Sequence, residues 1–263
     1  MSKTFSDLGI QSEIVKSLTE LEISKPSDIQ QKVIPIILNQ KEDIVALAKT
    51  GTGKTAAFGL PLLQLIDTNN NDIQAVILAP TRELGQQIYQ NLVSYSKYNS
   101  EISIAVTCGG IPIKPQIERL KEKTHIIVAT PGRLADLVKR KVINIKNISY
   151  FILDEADEMV TALKDGLDAI ITEIPKKRRT LLFTATMPGA IRQLVNNYMA
   201  KNVLTLKADM ETIGHQGIDH KYVVVKPIEK LEVLLHFLNS KEGKRGIIFC
   251  KTKAAVNKLA KNL

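Results

Sequence analysis

The sequence predicts an α/β fold: a parallel sheet with helices on both faces, followed by a second, incomplete α/β unit. Two observations predict the sheet. Short apolar runs recur at 44–48, 75–79, 104–107, 126–129, 150–153, 181–183 and 203–206, and amphipathic stretches such as 86–95 separate most of them. Runs that are apolar throughout suit strands covered on both sides. A third observation places the chemistry. The Gly-, Thr- and Asp-bearing segments sit at the C-terminal ends of these runs, where open α/β sheets bind ligands.

The run 44–48 leads into Ala48-Lys49-Thr50-Gly51-Thr52-Gly53-Lys54-Thr55. Gly51 and Gly53 let backbone N–H groups turn around a phosphate, Lys54 reaches the outer phosphates, and the Thr55 hydroxyl is placed to ligate Mg²⁺ at a helix start. Ala48 stands where the strict pattern has Gly. The runs 75–79 and 126–129 each lead into a strand-to-helix turn, Thr81-Arg82 and Thr130-Pro131-Gly132-Arg133. Thr130 suits the N-cap and Pro131 the first helical position. Gly109-Gly110, after 104–107, permits close backbone approach.

The run 150–153 ends in Asp154-Glu155-Ala156-Asp157. A carboxylate there can hold Mg²⁺ and its neighbour can orient a water, so Asp154 is assigned to the metal and Glu155 to the water. After 181–183, the hydroxyls of Thr184 and Thr186 can reach Asp157. The first lobe is expected to close near Lys207, with 208–217 a linker and 218–263 the start of a second lobe. In that lobe 220–226 and 246–250 read as strands, and 228–238 and 254–263 as helices. Two βα units are too few to close an α/β domain.

Composition narrows the class. Apolar content of 44% and charged content of 24% are those of a globular protein, and no apolar run is long enough to span a bilayer. Residues 1–4 lead directly into polar helix signals, so no secretory leader is expected. Cys108 and Cys250 have no metal spacing and read as reduced core thiols, which makes a cytoplasmic location the default expectation. The net charge of +9 suits an anionic partner. With Trp absent and aromatics at 5%, contact through sugar and phosphate is favoured over base stacking.

The chain resembles the DEAD-box RNA helicases over nearly its whole length. Pro26-Ser27-Asp28-Ile29-Gln30 is similar to the family's adenine-reading motif, with Ser27 where Thr is usual and Ile23 where an aromatic is frequent. Phe5 matches an isolated upstream aromatic that stacks on adenine. Residues 48–55 match the ATP loop, and Pro80–Leu84, Gly109-Gly110 and Thr130–Arg133 match three RNA-contacting motifs in family order. Residues 154–157 are the name-giving motif, Thr184-Ala185-Thr186 stands for Ser-Ala-Thr, and 247–250 resemble the first strand motif of the second lobe.

The resemblance implies a recA-like P-loop lobe and ATP and Mg²⁺ as cofactors. It also implies RNA as partner through sequence-independent backbone contacts, and hydrolysis coupled to local duplex separation. Gln30, whose amide presents one donor and one acceptor, would pair with adenine N6 and N7. The family's arginine finger and further RNA contacts lie beyond the position matching Leu263, so these residues by themselves are expected to bind ATP and RNA but unwind poorly. Two other classes are a non-catalytic nucleotide- or RNA-binding protein and a DNA helicase of the wider superfamily. RNA-stimulated ATP hydrolysis separates the first of these; competition between RNA and DNA oligomers separates the second. Protein partners are not readable from the sequence.

Overall fold

In a computed structural model the described residues are 3–208, 221–240, 243 and 245–263. They divide by contacts into two units, Met1–Gly214 and His215–Leu263. The first holds seven strands: β1 (Ile44–Leu47), β2 (Ala75–Leu78), β3 (Ile104–Thr107), β4 (Ile126–Ala129), β5 (Tyr150–Leu153), β6 (Arg179–Thr184) and β7 (Leu204–Lys207). All are parallel, in the order β3-β4-β2-β5-β6-β1-β7. Each expected apolar run is therefore a strand. Only β6 differs by more than a residue at its start. It begins at Arg179 because that guanidinium is itself buried, donating to the carbonyls of Ile36, Ile37 and Glu42.

Alternation within the strands sorts the core into two layers. Ile44, Ala46, Ala75, Ile77 and Phe183 face one layer; Val45, Val76, Leu78 and Leu182 face the other. The first is covered by α1 (Ser12–Glu20), α2 (Asp28–Asn39), α3 (Lys54–Leu65) and α4 (Arg82–Tyr95). After the short α5 (Lys114–Arg119), the second is covered by α6 (Pro131–Lys139), α7 (Ala156–Ala162), α8 (Lys164–Glu173) and α9 (Gly189–Tyr198).

The strand order follows from connectivity and fixes the placement of every motif. Chain segments leaving β2, β3 and β4 emerge side by side on one half of the sheet, and those leaving β5, β6 and β1 on the other. Segments that enter the strands lie at the opposite end.

The second unit contains a 3₁₀ turn, Pro227–Glu229, then α10 (Lys230–Asn239) and α11 (Lys253–Asn262), close to the expected helices. The expected strands are not formed at 221–226 or 245–250; residue 220 and most of the expected linker fall outside the described residues. A strand needs a ladder partner, and these segments have none among the described residues. Tyr222, Val224, Ile247 and Phe249 are accordingly exposed. Cys250 is half-buried rather than core, whereas Cys108 is buried; both are free. No helix among the described residues is long and apolar enough to cross a membrane.

His125, at the entry to β4, has 0% exposure. Its Nδ1 accepts the Ser103 N–H at 2.9 Å, and its Nε2 is buried without a partner among the described residues. Burial pushes its pKa below the usual 6.5, and Lys123 adds to the shift against a weaker pull from Asp67. The unfolded chain therefore takes up this proton first. Stability from the neutral ring is present above pH ~6.5 and is lost as pH falls through the depressed folded value. His125→Asn, which keeps an acceptor for Ser103, is expected to flatten the fall in urea midpoint between pH ~7.5 and ~5.5. An unchanged slope would remove His125 from the acid response.

Candidate nucleotide and nucleic-acid site

The loop between β1 and α3 turns on two glycines in left-handed conformation, Gly51 at φ 83° and Gly53 at φ 86°. Gly53 is required twice over: a Cβ there would stand 2.3 Å from Gln30 Nε2. The loop begins where the Ala48 N–H donates to Thr184 O on β6, and Thr52 ties its turn through a 2.8 Å bond to Lys49 O. Thr50 and Gly51 are exposed, and Thr55 is half-buried in the first turn of α3.

Lys54 and Asp154 meet at the centre. Lys54 is 5% exposed and Asp154 2% exposed, with Nζ 3.6 Å from Oδ1, beyond hydrogen-bonding distance. Lys54 Nζ is buried and makes no hydrogen bond among the described residues. Burial pushes the Asp154 carboxyl up to about 6, with Lys54 opposing and Glu155 adding to the shift. A buried ammonium without a hydrogen-bond acceptor is costly. A phosphate oxygen satisfies it, and Asp154 beside the Thr55 helix start offers the hard oxygen donors that Mg²⁺ takes. The residues present therefore fit a Mg²⁺–nucleotide.

Glu155 follows in a left-handed conformation, φ 52° and ψ 50°, costing roughly 1–3 kcal/mol for a residue with a side chain. The strain turns its carboxylate back toward the phosphate loop, where Oε1 accepts the Thr50 hydroxyl at 3.2 Å. Asp157, two residues on, accepts the Thr186 hydroxyl at 2.8 Å. Burial alone would raise the Asp157 carboxyl, but the bond from the Thr186 hydroxyl, with the Thr184 hydroxyl close by, outweighs it and holds it below the usual range. Thr184 Oγ1 donates to Thr186 O at 2.8 Å. The segments leaving β5 and β6 are thus bonded where the sheet order brings them together.

Three of the expected site residues make contacts inside the protein. Phe5 is 3% exposed and packed in the core. Gln30 does not point a free amide into the site. Its Oε1 accepts the Ser27 N–H at 2.9 Å and its Nε2 donates to Gly53 O at 3.0 Å, so both ends hold the phosphate loop. Arg133 is half-buried, with Nη2 donating to Ile111 O at 2.9 Å, so it braces the Gly109-Gly110 loop rather than standing free as a charge.

The same loop takes the Thr130 hydroxyl, which accepts the Gly109 N–H at 3.1 Å instead of capping α6. Thr81 does cap α4, accepting the Leu84 N–H. What stays open on this half of the sheet is Arg82, Gly110 at φ 76°, and the start of α6 at Gly132.

Two contributors were not assigned a site role from sequence. Ser27 Oγ donates to Thr52 O at 2.8 Å, locking the phosphate loop to α2. Gln116 is buried and clamps the loop after β3, accepting from Cys108 N and donating to Cys108 O and Pro112 O. Ser27 lies inside a recognisable motif; nothing in the sequence marks Gln116.

Comparison with known proteins agrees with this geometry. The DEAD/DEAH box helicase family profile matches residues 27–194. A probable ATP-dependent RNA helicase of Methanocaldococcus jannaschii is 42% identical over 98% of this chain and 68% of its own length. The ATP-dependent RNA helicase CshA of Listeria monocytogenes is 38% identical, over 98% of this chain and 49% of its own length. The chain thus spans about half to two thirds of these relatives.

Among solved structures, a DEAD box protein from Methanococcus jannaschii superposes with a TM-score of 0.75 at 40% identity, covering 100% of this chain and 70% of that one. S. cerevisiae Dbp5 bound to RNA and ADP BeF3 gives 0.87 at 30% identity, covering 99% of this chain and 66% of that one. With its parallel sheet, phosphate loop and Asp-Glu-Ala-Asp turn in family order, this chain belongs to the DEAD/DEAH box helicase family.

Proposed function

We propose that the chain binds Mg²⁺–ATP at the β1–α3 loop and carries the ATPase part of an ATP-dependent RNA helicase. One observation supports this most: the buried Lys54 ammonium, without a hydrogen-bond acceptor, beside Asp154 and under a loop of left-handed glycines. Lys54 takes the outer phosphates. Asp154 and Thr55 would hold Mg²⁺, which supplies neutralisation of the charge that develops on the transferred phosphoryl group. Glu155, released from Thr50, orients the attacking water.

Adenine is read by Gln30 once its amide exchanges the Gly53 and Ser27 bonds for the base. RNA lies across Thr81, Arg82, Gly109, Gly110, Thr130 and Gly132, with Arg133 bracing the loop from behind. The bond from Thr186 to Asp157, braced by Thr184 on Thr186 O, joins that face to the nucleotide. We place the lobe at 1–207, the linker at 208–217 and the opening of a second lobe at 218–263. The two free thiols fit a cytoplasmic protein.

The test is ATP turnover with and without RNA, at matched ionic strength, with a DNA oligomer of the same sequence as comparator. RNA-stimulated release of phosphate is expected. ATP binding with no turnover under any condition would leave a non-catalytic binding protein, and stimulation by DNA as strong as by RNA would move the substrate to DNA.

A further inference from the structure

We infer that the end of the sheet opposite the nucleotide loops, in the first unit, is a second surface for the RNA sugar–phosphate backbone. The inference rests on the reading of RNA as substrate but concerns residues that reading does not use. In a parallel sheet every segment entering a strand emerges at one end. Because β5, β6 and β1 are adjacent, the segments entering them lie side by side: 140–149, 174–178 and 40–43.

These segments and the end of α6 carry Lys139, Lys141, Lys146, Lys176, Lys177 and Lys41, all exposed. None of the six has a carboxylate within ion-pair distance among the described residues, whereas Lys97, Lys121 and Arg140 each do. Of the nearby acids, Asp136 is paired with Arg140 and Asp43 is buried, accepting the Thr180 and Ala200 N–H groups. Glu173, Glu42 and Asp72, which accepts the Asn147 amide at 3.0 Å, remain at the rim.

The lysines border grooves. One of about 890 Å³ is lined by Lys139, Lys141 and Lys146, and the next, of about 700 Å³, by Lys146, Lys177 and Lys41. A third, of about 500 Å³, carries Lys176 and Tyr198, the latter 39% exposed. Shared lining residues make the three adjacent: Lys146 borders the first two and Arg178 the last two.

Lys141 adds an independent observation. It occupies the left-handed position after α6, at φ 58°, in a Schellman turn closed by Lys141 N–H to Val138 O and Val142 N–H to Leu137 O. Glycine is the unstrained residue there; a lysine is held at a backbone cost.

Unpaired ammonium groups spread over adjacent grooves suit a polymer of repeating single charges. Tyr198 stands at one end of the row, where it can take a base face.

The test is salt-dependent anisotropy of a fluorescein-labelled polyuridylate of about 20 nucleotides, where each phosphate contact contributes about 0.7 to the slope of log K against log salt. Three proteins are compared: the full chain, Lys141→Gln/Lys146→Gln/Lys177→Gln, and Arg82→Gln on the opposite face. The triple variant is expected to flatten the slope by about 2 and to bind ATP unchanged, since exposed Lys→Gln changes leave the fold intact. An unaltered slope in the triple variant, with weakened binding in Arg82→Gln, would overturn this surface and leave the proposed function standing. Unaltered binding in both variants would overturn both. Displacement of the RNA by polyglutamate more readily than by unlabelled polyuridylate of equal charge would overturn RNA as the occupant in favour of an acidic protein.

Discussion

Glu155→Gln is expected to leave Mg²⁺–ATP affinity within about threefold of the unmodified chain while cutting turnover by roughly 10²–10⁴, the range for loss of a positioned base. The substitution preserves shape and leaves an amide oxygen to accept the Thr50 hydroxyl, so the local structure persists. What it removes is the negative charge that orients and deprotonates water. Glu155 is the residue to change because its backbone is held in a strained left-handed conformation that aims the side chain at the phosphate loop. Equilibrium binding and single-turnover hydrolysis, measured on the same preparation, separate the two effects. Lost binding with unchanged turnover of bound nucleotide would reverse the roles given to Lys54 and Glu155.

Lys54→Ala is expected to weaken ATP by about 10–10², since bonds to charged groups carry roughly 1.5–3 kcal/mol, and to lower stability as well. Asp154 is 2% exposed and loses the cationic neighbour that stands 3.6 Å away. Breaking a buried pair from one side costs roughly 3–5 kcal/mol. That range is an upper bound here, because Asp154 is already pushed up to about 6 and can take a proton instead. The double variant Lys54→Met/Asp154→Asn tests the argument. It is expected to recover most of the thermal midpoint and none of the ATP affinity. A double variant as unstable as Lys54→Ala would show that the lysine acts through packing, not charge.

Much of this fold was legible because strands covered on both faces leave an unbroken apolar signature. All seven runs became strands, and their ends carried the phosphate loop and the Asp154–Asp157 turn. The same reading failed at 221–226 and 246–250, which are apolar enough for strands but have no ladder partner among the described residues. An apolar run states what a segment can do, and pairing decides whether it does.

Within the site, residue types and chain spacing identified the loops but not what each side chain touches. Gln30 holds Gly53 across 23 residues, Arg133 holds Ile111 across 22, and Thr50 meets Glu155 across 105. Those bonds depend on which loops the sheet order brings together, information spread over the whole chain. Phe5 shows another limit of spacing: an isolated aromatic near the N-terminus does not reveal that its ring is packed in the core.

Calorimetric titration of ATP and GTP into the unmodified chain, each with and without Mg²⁺, tests the nucleotide site most directly. Mg²⁺-dependent ATP binding is predicted, with GTP weaker by about tenfold or more, the discrimination expected of one good two-point amide–base pairing. Absence of ATP binding at millimolar nucleotide would contradict the account at its centre, and GTP binding as tight as ATP would contradict the reading of adenine by Gln30.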